Sequence, residues 1–142
     1  MNRLNIRNFQ RSIPVDKALI KNIVRAVCAK EKPSCAYQIG VCLVSDKTIQ
    51  ELNGRFHGCN CPTDVLAFGL KQTRHELIAD IFVSADTANL QAKIYKTNPQ
   101  YEMYLYVIHG LLHLTGYDDR NANDRKVMRR VERQYLKQFN IK

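Results

Sequence analysis

His109, His113 and Asp119 are the residues whose types and spacing point most directly to chemistry. They lie in the segment His109-Gly110-Leu111-Leu112-His113-Leu114-Thr115-Gly116-Tyr117-Asp118-Asp119, a pattern of the form H-x-x-x-H-x-x-G-x-x-D. On an α-helix, imidazoles four residues apart share one face, about one turn from each other. Gly116 then lets the chain reverse without a Cβ penalty, and Asp119 returns an oxygen to the same point. Two nitrogens and one oxygen form a donor set that zinc accepts, and three protein ligands leave a position open for water, the mark of a catalytic site. Nickel, cobalt and iron take the same donors. The alternative is that both histidines are satisfied core residues. That demands a partner for each imidazole, and a buried helix offers few, because its backbone groups are already paired. Asp118 is an adjacent carboxylate that competes for the third position, but the spacing favours Asp119. Zinc peptidases of related layout carry glutamate directly after the first histidine as general base. Here that residue is Gly110, so a peptidase mechanism lacks its base.

The elements that must position this cluster follow from the pattern of apolar residues. Asn98-Pro99 is a helix start, with the asparagine as cap and the proline in the first turn. The helix that follows is apolar almost all round through Met103, Leu105, Val107, Ile108, Leu111, Leu112 and Leu114. It is therefore expected to be the buried central helix, carrying the two histidines in its last turns. Pro14 suits the first turn of an earlier amphipathic helix that runs to about Lys30–Pro33. Ser45 and Asp46 can cap a short helix, with Gly54 as its stop. Residues 85–96 read as helical, and Asn121 or Asn123 can cap a last helix whose inward stripe is Met128, Val131, Tyr135 and Phe139. Strands are expected near Leu4–Phe9, Tyr37–Leu43, Asp64–Leu70 and Ile78–Ser84. The last two can form a hairpin, although Gln72-Thr73-Arg74 gives no tight-turn signal. The predicted class is α+β: a small mixed sheet of about four strands packed with about five helices, in a single domain spanning residues 1–142.

Charge narrows the partners. The chain has 22 Lys and Arg against 13 Asp and Glu, a net +9, which favours anionic partners, nucleic acid first and a membrane surface second. Arg125, Lys126, Arg129, Arg130, Arg133 and Lys137 form a basic outer face on the last helix, either solvated or in contact with phosphate. The five cysteines form no disulfide framework and no signal peptide is read at the start, so reduced thiols and a cytoplasmic location are expected. No run of eighteen apolar residues occurs, and no membrane span is expected.

Several other residues have chemical potential. His57, Cys59 and Cys61 are close together, but their spacing is not that of a zinc knuckle and a fourth ligand is missing. His75 beside Glu76 reads as a solvated turn. Asp64 and Asp80, near strand starts, are either structural caps or walls of the metal cleft. Tyr117 is either a base-stacking platform or a packing anchor.

The segment from His109 to Asp119, HGLLHLTGYDD, is similar to the H-G-x-L-H-L-x-G-Y-D-H signature of the YbeY family. Cys61-Pro62-Thr63-Asp64-Val65-Leu66-Ala67-Phe68 resembles that family's P-T-D-V-L-S-F segment, and Asp80-Ile81-Phe82-Val83-Ser84 resembles its G-D-I-x-I-S strand. The likeness runs through the whole domain. It implies a zinc-dependent, single-strand-specific endoribonuclease of ribosomal RNA maturation, acting at the 3′ end of 16S rRNA and in ribosome quality control. The implied partners are single-stranded and ribosomal RNA and a ribosomal subunit, with no DNA specificity. It also implies one metal ion on His109, His113 and Asp119, where the family's third ligand is histidine. An aspartate there adds negative charge, weakens the ion's Lewis acidity and raises the pKa of its water. A functional arginine of the family aligns with His57, and Arg55 lies two residues earlier; either can meet phosphate. The alternative is a non-catalytic ribosome- or RNA-binding protein in which the metal is structural.

Overall fold

The structure, a computed structural model, describes residues 2–58 and 63–142. The described elements run β1 (Arg3–Asn8), α1 (Lys17–Glu31), β2 (Ala36–Val44), α2 (Asp46–His57), β3 (Val65–Gln72), β4 (Glu76–Ser84), α3 (Ala85–Tyr95), α4 (Pro99–Leu114) and α5 (Ala122–Gln138). This is the α+β class expected, with four strands and five helices among the described residues. The sheet order is β1-β2-β4-β3. β1, β2 and β4 are parallel, and β3 runs antiparallel beside β4.

Local chemistry sets the helix ends. α1 starts later than Pro14, because the Asp16 carboxylate accepts the Leu19 N–H and so caps the first turn. Ser45 caps α2 as expected, but the helix continues through Gly54 to His57. Its stop is Gly58, whose φ of 70° supplies the left-handed residue that ends a helix. Arg55 and His57 therefore sit on a helical turn rather than in a loop. Asn98 caps α4 by accepting the Tyr101 N–H at 2.8 Å, with Pro99 in the first turn. Asn121, not Asn123, caps α5.

β3 and β4 do form a hairpin, and threonine closes its turn in place of glycine. The Thr73 N–H donates to the Glu76 carbonyl at 2.9 Å, and the Glu76 N–H donates to Thr73 Oγ1 at 3.1 Å. A register shift between Gly69 and Lys71 reshapes the end of β3. There the Gln72 side chain crosses Gly69, where a Cβ would lie 2.3 Å from Gln72 Oε1. Gln72 Nε2 donates to the Leu114 carbonyl at 3.0 Å, which ties β3 to the C-terminal end of α4.

α4 is the central helix. It packs against α1, α3, α5, β3 and β4. Met103, Val107, Ile108, Leu111 and Leu112 are fully buried along it, together with Ile39, Val41, Ile81 and Val83 from one face of the sheet. Burying such side chains contributes about 1.5–3 kcal/mol each. α4 approaches the sheet most closely at Gly110, where a Cβ would meet Ile81 Cγ2 at 3.1 Å and Val65 Cγ2 at 3.3 Å. A smaller cluster of Val44, Ile49 and Leu66 with Phe68 and Phe82 lies between α2 and the opposite sheet face. No helix among the described residues is long and apolar enough to cross a membrane.

Candidate metal centre

The end of α4 builds the cluster. Thr115 closes the helix. The Gly116 N–H then donates to the His113 carbonyl at 3.3 Å, and the Tyr117 N–H to the Leu112 carbonyl at 2.9 Å. This pair of bonds is the Schellman arrangement, which needs a left-handed residue at its turn. Gly116 provides it at φ 114°, where a side chain would be strained although space is free. Tyr117 then anchors the reversed chain. Its hydroxyl donates to Glu31 Oε1 at 2.9 Å, and Glu31 Oε2 also accepts from the Tyr135 hydroxyl at 2.5 Å. Tyr117 is thus a packing anchor.

The reversal brings Asp119 back to the histidines. The His109 and His113 Nε2 atoms are 3.1 Å apart. Asp119 Oδ2 is 3.7 Å from His109 Nε2 and 3.4 Å from His113 Nε2. A tetrahedral ion with bonds of about 2.0–2.2 Å needs ligand atoms roughly 3.3–3.6 Å apart, and the three distances bracket that range. These residues are the described group of His, Cys, Asp and Glu with metal-holding geometry. Asp118 is turned elsewhere. Its Oδ1 accepts the Asp119 N–H, and its Oδ2 pairs with Arg120 Nε at 2.9 Å.

A fourth residue stands behind the cluster. His109 Nδ1 donates to Glu132 Oε2 at 2.6 Å, which leaves Nε2 facing the other two donors. A carboxylate behind a ligating imidazole fixes its tautomer and raises its basicity. Burial disfavours protonation of His109, but the hydrogen bond and charge of Glu132, helped by Asp64 and Asp119, outweigh it and lift the imidazole above its usual range. Glu132 is itself buried on α5. In sequence Glu132 is one more charge on a basic helix, marked only by its place on the inward stripe, four residues after Met128 and next to Val131.

Two cavities meet at His109. One of about 150 Å³ is walled by His109, Asp119, Arg125, Met128, Arg129 and Glu132. The other, of about 610 Å³, shares His109, Arg129 and Glu132 and continues past Asp64 and Tyr106 to Leu90 and Tyr95 on α3. Asp64 thus lines the metal cleft while also capping locally, its Oδ1 accepting the Val65 N–H at 2.8 Å. Asp80 does not line it. It lies under Gly40, beside a separate cavity against β1 and β2.

The remaining candidates lie apart from the cluster. The His57 ring stacks on Phe68 at 5.6 Å and 8°, within the aromatic group on the sheet face opposite α4. Arg55 is exposed on the same last turn of α2. Neither lines the two cavities at His109. Cys59 and Cys61 lie outside the described residues, so the group they would form with His57 does too. His75 is exposed in the hairpin turn, and Glu76 pairs with Lys71 Nζ at 2.6 Å.

Fold and donor set together define an α+β protein with a two-histidine, one-carboxylate cluster at the end of its central helix. Comparison with known proteins is more specific. The family model described as Endoribonuclease YbeY matches residues 5–140. The chain is 34% identical to the Endoribonuclease YbeY of Petrotoga mobilis over 140 residues, covering 96% of this chain and 95% of that protein. It is also 34% identical to the protein of that name from Pelotomaculum thermopropionicum, covering 96% of each. The solution structure of TM1509 from Thermotoga maritima superposes with a TM-score of 0.64 at 27% identity, covering 96% of this chain and 88% of that one. The chain belongs to the YbeY family.

Proposed function

We propose that the chain is a metal-dependent endoribonuclease that cuts single-stranded RNA in the maturation of ribosomal RNA. The observation that carries this reading is the triangle of His109 Nε2, His113 Nε2 and Asp119 Oδ2, at tetrahedral spacing and opening into a cleft. Its relatives carry the name endoribonuclease, and the net charge of +9 suits a polyanionic substrate. A single zinc ion is the proposed occupant. Held by His109, His113 and Asp119, such an ion would supply Lewis acidity toward a phosphoryl oxygen and a more acidic water. The protein's own groups do the rest. Glu132 holds the His109 ring in register. Arg55 and His57 are proposed as further phosphate contacts from the end of α2. The unit is proposed to be a single domain over residues 1–142 that works in the cytoplasm on a ribosomal subunit, with a part in ribosome quality control.

The test pairs metal analysis of untagged protein with an RNA cleavage assay, with and without chelator. His113→Ala is expected to lose both metal and cleavage while keeping its fold. Full ribonuclease activity in that variant, in a nuclease-free preparation, would sink the reading. One observation favours a second reading: the cluster ties the end of α4 to the segment entering α5, as a structural staple does. Chelation separates the two. Unfolding on metal removal supports the staple, and loss of turnover with the fold intact supports the enzyme.

A further inference from the structure

We propose that the larger cavity is a nucleobase subsite, and that Arg129, which lines both cavities, holds the phosphate next to that base. The proposal rests on the endoribonuclease reading and adds to it how the substrate lies in the cleft. Arg129, His109 and Glu132 line both cavities, so the two flank the metal-ligating imidazole. In the smaller one, Arg125 and Arg129 stand one helical turn apart next to Asp119. Arg125 Nη1 donates to the Asp119 carbonyl at 3.3 Å. Arg129 is exposed and forms no ion pair among the described residues. Its guanidinium fork is therefore free to take a phosphate beside the point where the three metal-ligating atoms converge.

The larger cavity has the opposite character. Asp46, Asp64, Glu102 and Glu132 line it, and these carboxylates repel a phosphate. An uncharged heterocycle suffers no such repulsion, and its amino and ring N–H groups donate to carboxylates. At the mouth, Tyr95 is 67% exposed and Leu90 56% exposed. The flat ring of Tyr95 offers a face on which a base of any sequence stacks, and the aliphatic Leu90 lines the same cavity. The volume of about 610 Å³ lies within the range of small-ligand pockets. The cleft thus divides the nucleotide, with the anionic backbone on the arginine side and the neutral base on the carboxylate side. A base seated there cannot be paired, so the geometry itself selects single strands.

The test uses the full-length metal-bound protein and a short fluorescent single-stranded oligoribonucleotide. Once the cut is mapped, each position in turn is replaced by an abasic nucleotide. One abasic position adjoining the cut is expected to lower kcat/KM on the order of tenfold. Tyr95→Ala, an exposed change, should cause a similar loss on the intact strand and no further loss on the abasic one. Arg129→Gln should raise KM and reduce the salt dependence by about one phosphate contact, and Arg129→Lys should recover part of it. A flat abasic scan, fully additive losses with Tyr95→Ala, or an unchanged Arg129→Gln variant would overturn the proposal. Anisotropy binding of the same strands keeps the two readings distinct. A protein that cuts no RNA but still couples Tyr95 to one base has lost the nuclease reading and kept the subsite. A protein that does neither has lost both.

Discussion

His109 reaches in two directions at once: Nδ1 lies 2.6 Å from Glu132 Oε2, and Nε2 lies 3.1 Å from His113 Nε2. The carboxylate on α5 therefore orients the nitrogen that α4 offers to a metal. Removing such an outer partner costs about 10–100-fold in metal affinity. Glu132→Gln is expected to fall in that range and Glu132→Ala to lose at least as much, measured by competition with a chromophoric chelator. Unchanged affinity in both variants would remove Glu132 from the site.

The two adjacent aspartates are expected to behave differently. Asp119 Oδ2 lies 3.4 Å from His113 Nε2, whereas Asp118 Oδ2 is paired with Arg120. Asp119→Asn should lose most metal binding, and Asp118→Asn should retain it, as read by calorimetric titration. Asp119→His should bind one ion and shift the acid limb of the pH–rate profile to lower pH, because three neutral imidazoles leave a metal-bound water more acidic than two with a carboxylate. Equal losses at 118 and 119 would contradict the geometry.

Gly110 makes room for the sheet as well as lacking a catalytic side chain. Its missing Cβ would sit 3.1 Å from Ile81 Cγ2 and 3.3 Å from Val65 Cγ2, both β-branched and held in strands. Alanine gains up to about 1 kcal/mol of helix propensity, but overpacking costs about 1–3 kcal/mol. Gly110→Ala is expected to lower the melting temperature by a few degrees, with metal stoichiometry unchanged. A variant more stable than the parent would show that the contact relaxes freely.

Cys28 is expected to give the protein an alkaline weakness. Burial, with a smaller contribution from Cys35, pushes its thiol up from 9.0 to about 11. Below pH 9 both folded and unfolded chains hold the proton, and the buried thiol keeps its full contribution to stability. Between pH 9 and 11 the unfolded chain ionises while the folded one resists, so stability falls as pH rises. Urea midpoints of the parent protein should drop between pH 8 and 10.5 by more than those of Cys28→Ala. Parallel slopes would remove Cys28 as the cause.

The candidate ligand trio and its helix were legible because their information is local. A spacing of four residues fixes two side chains on one helical face whatever surrounds them. The Gly116 reversal is likewise written in adjacent residues, since only glycine takes φ 114° without strain. The caps at Ser45 and Asn98 were readable for the same reason. The limits of α1 and α2 were less so. Pro14 and Gly54 permit a helix boundary without requiring one, and the observed ends were decided by the Asp16 carboxylate and by Gly58.

Features that depend on residues distant along the chain came from the fold alone. The sheet order β1-β2-β4-β3 follows from packing. So do the bond from Gln72 to the end of α4 and the seat of His57 on Phe68. Glu132 looks in sequence like one more charge on a basic helix, and it acquires a role only when α5 packs against α4 and turns it onto His109. Arg129 shares that helix and faces the same cleft because the spacing of three residues keeps the two on neighbouring sides. The candidate metal-holding atoms could be read without the fold, because their juxtaposition is set within eleven consecutive residues. The fold decided what stands behind and beside them, because hydrogen bonds and cavities are made between elements and no local pattern encodes their meeting.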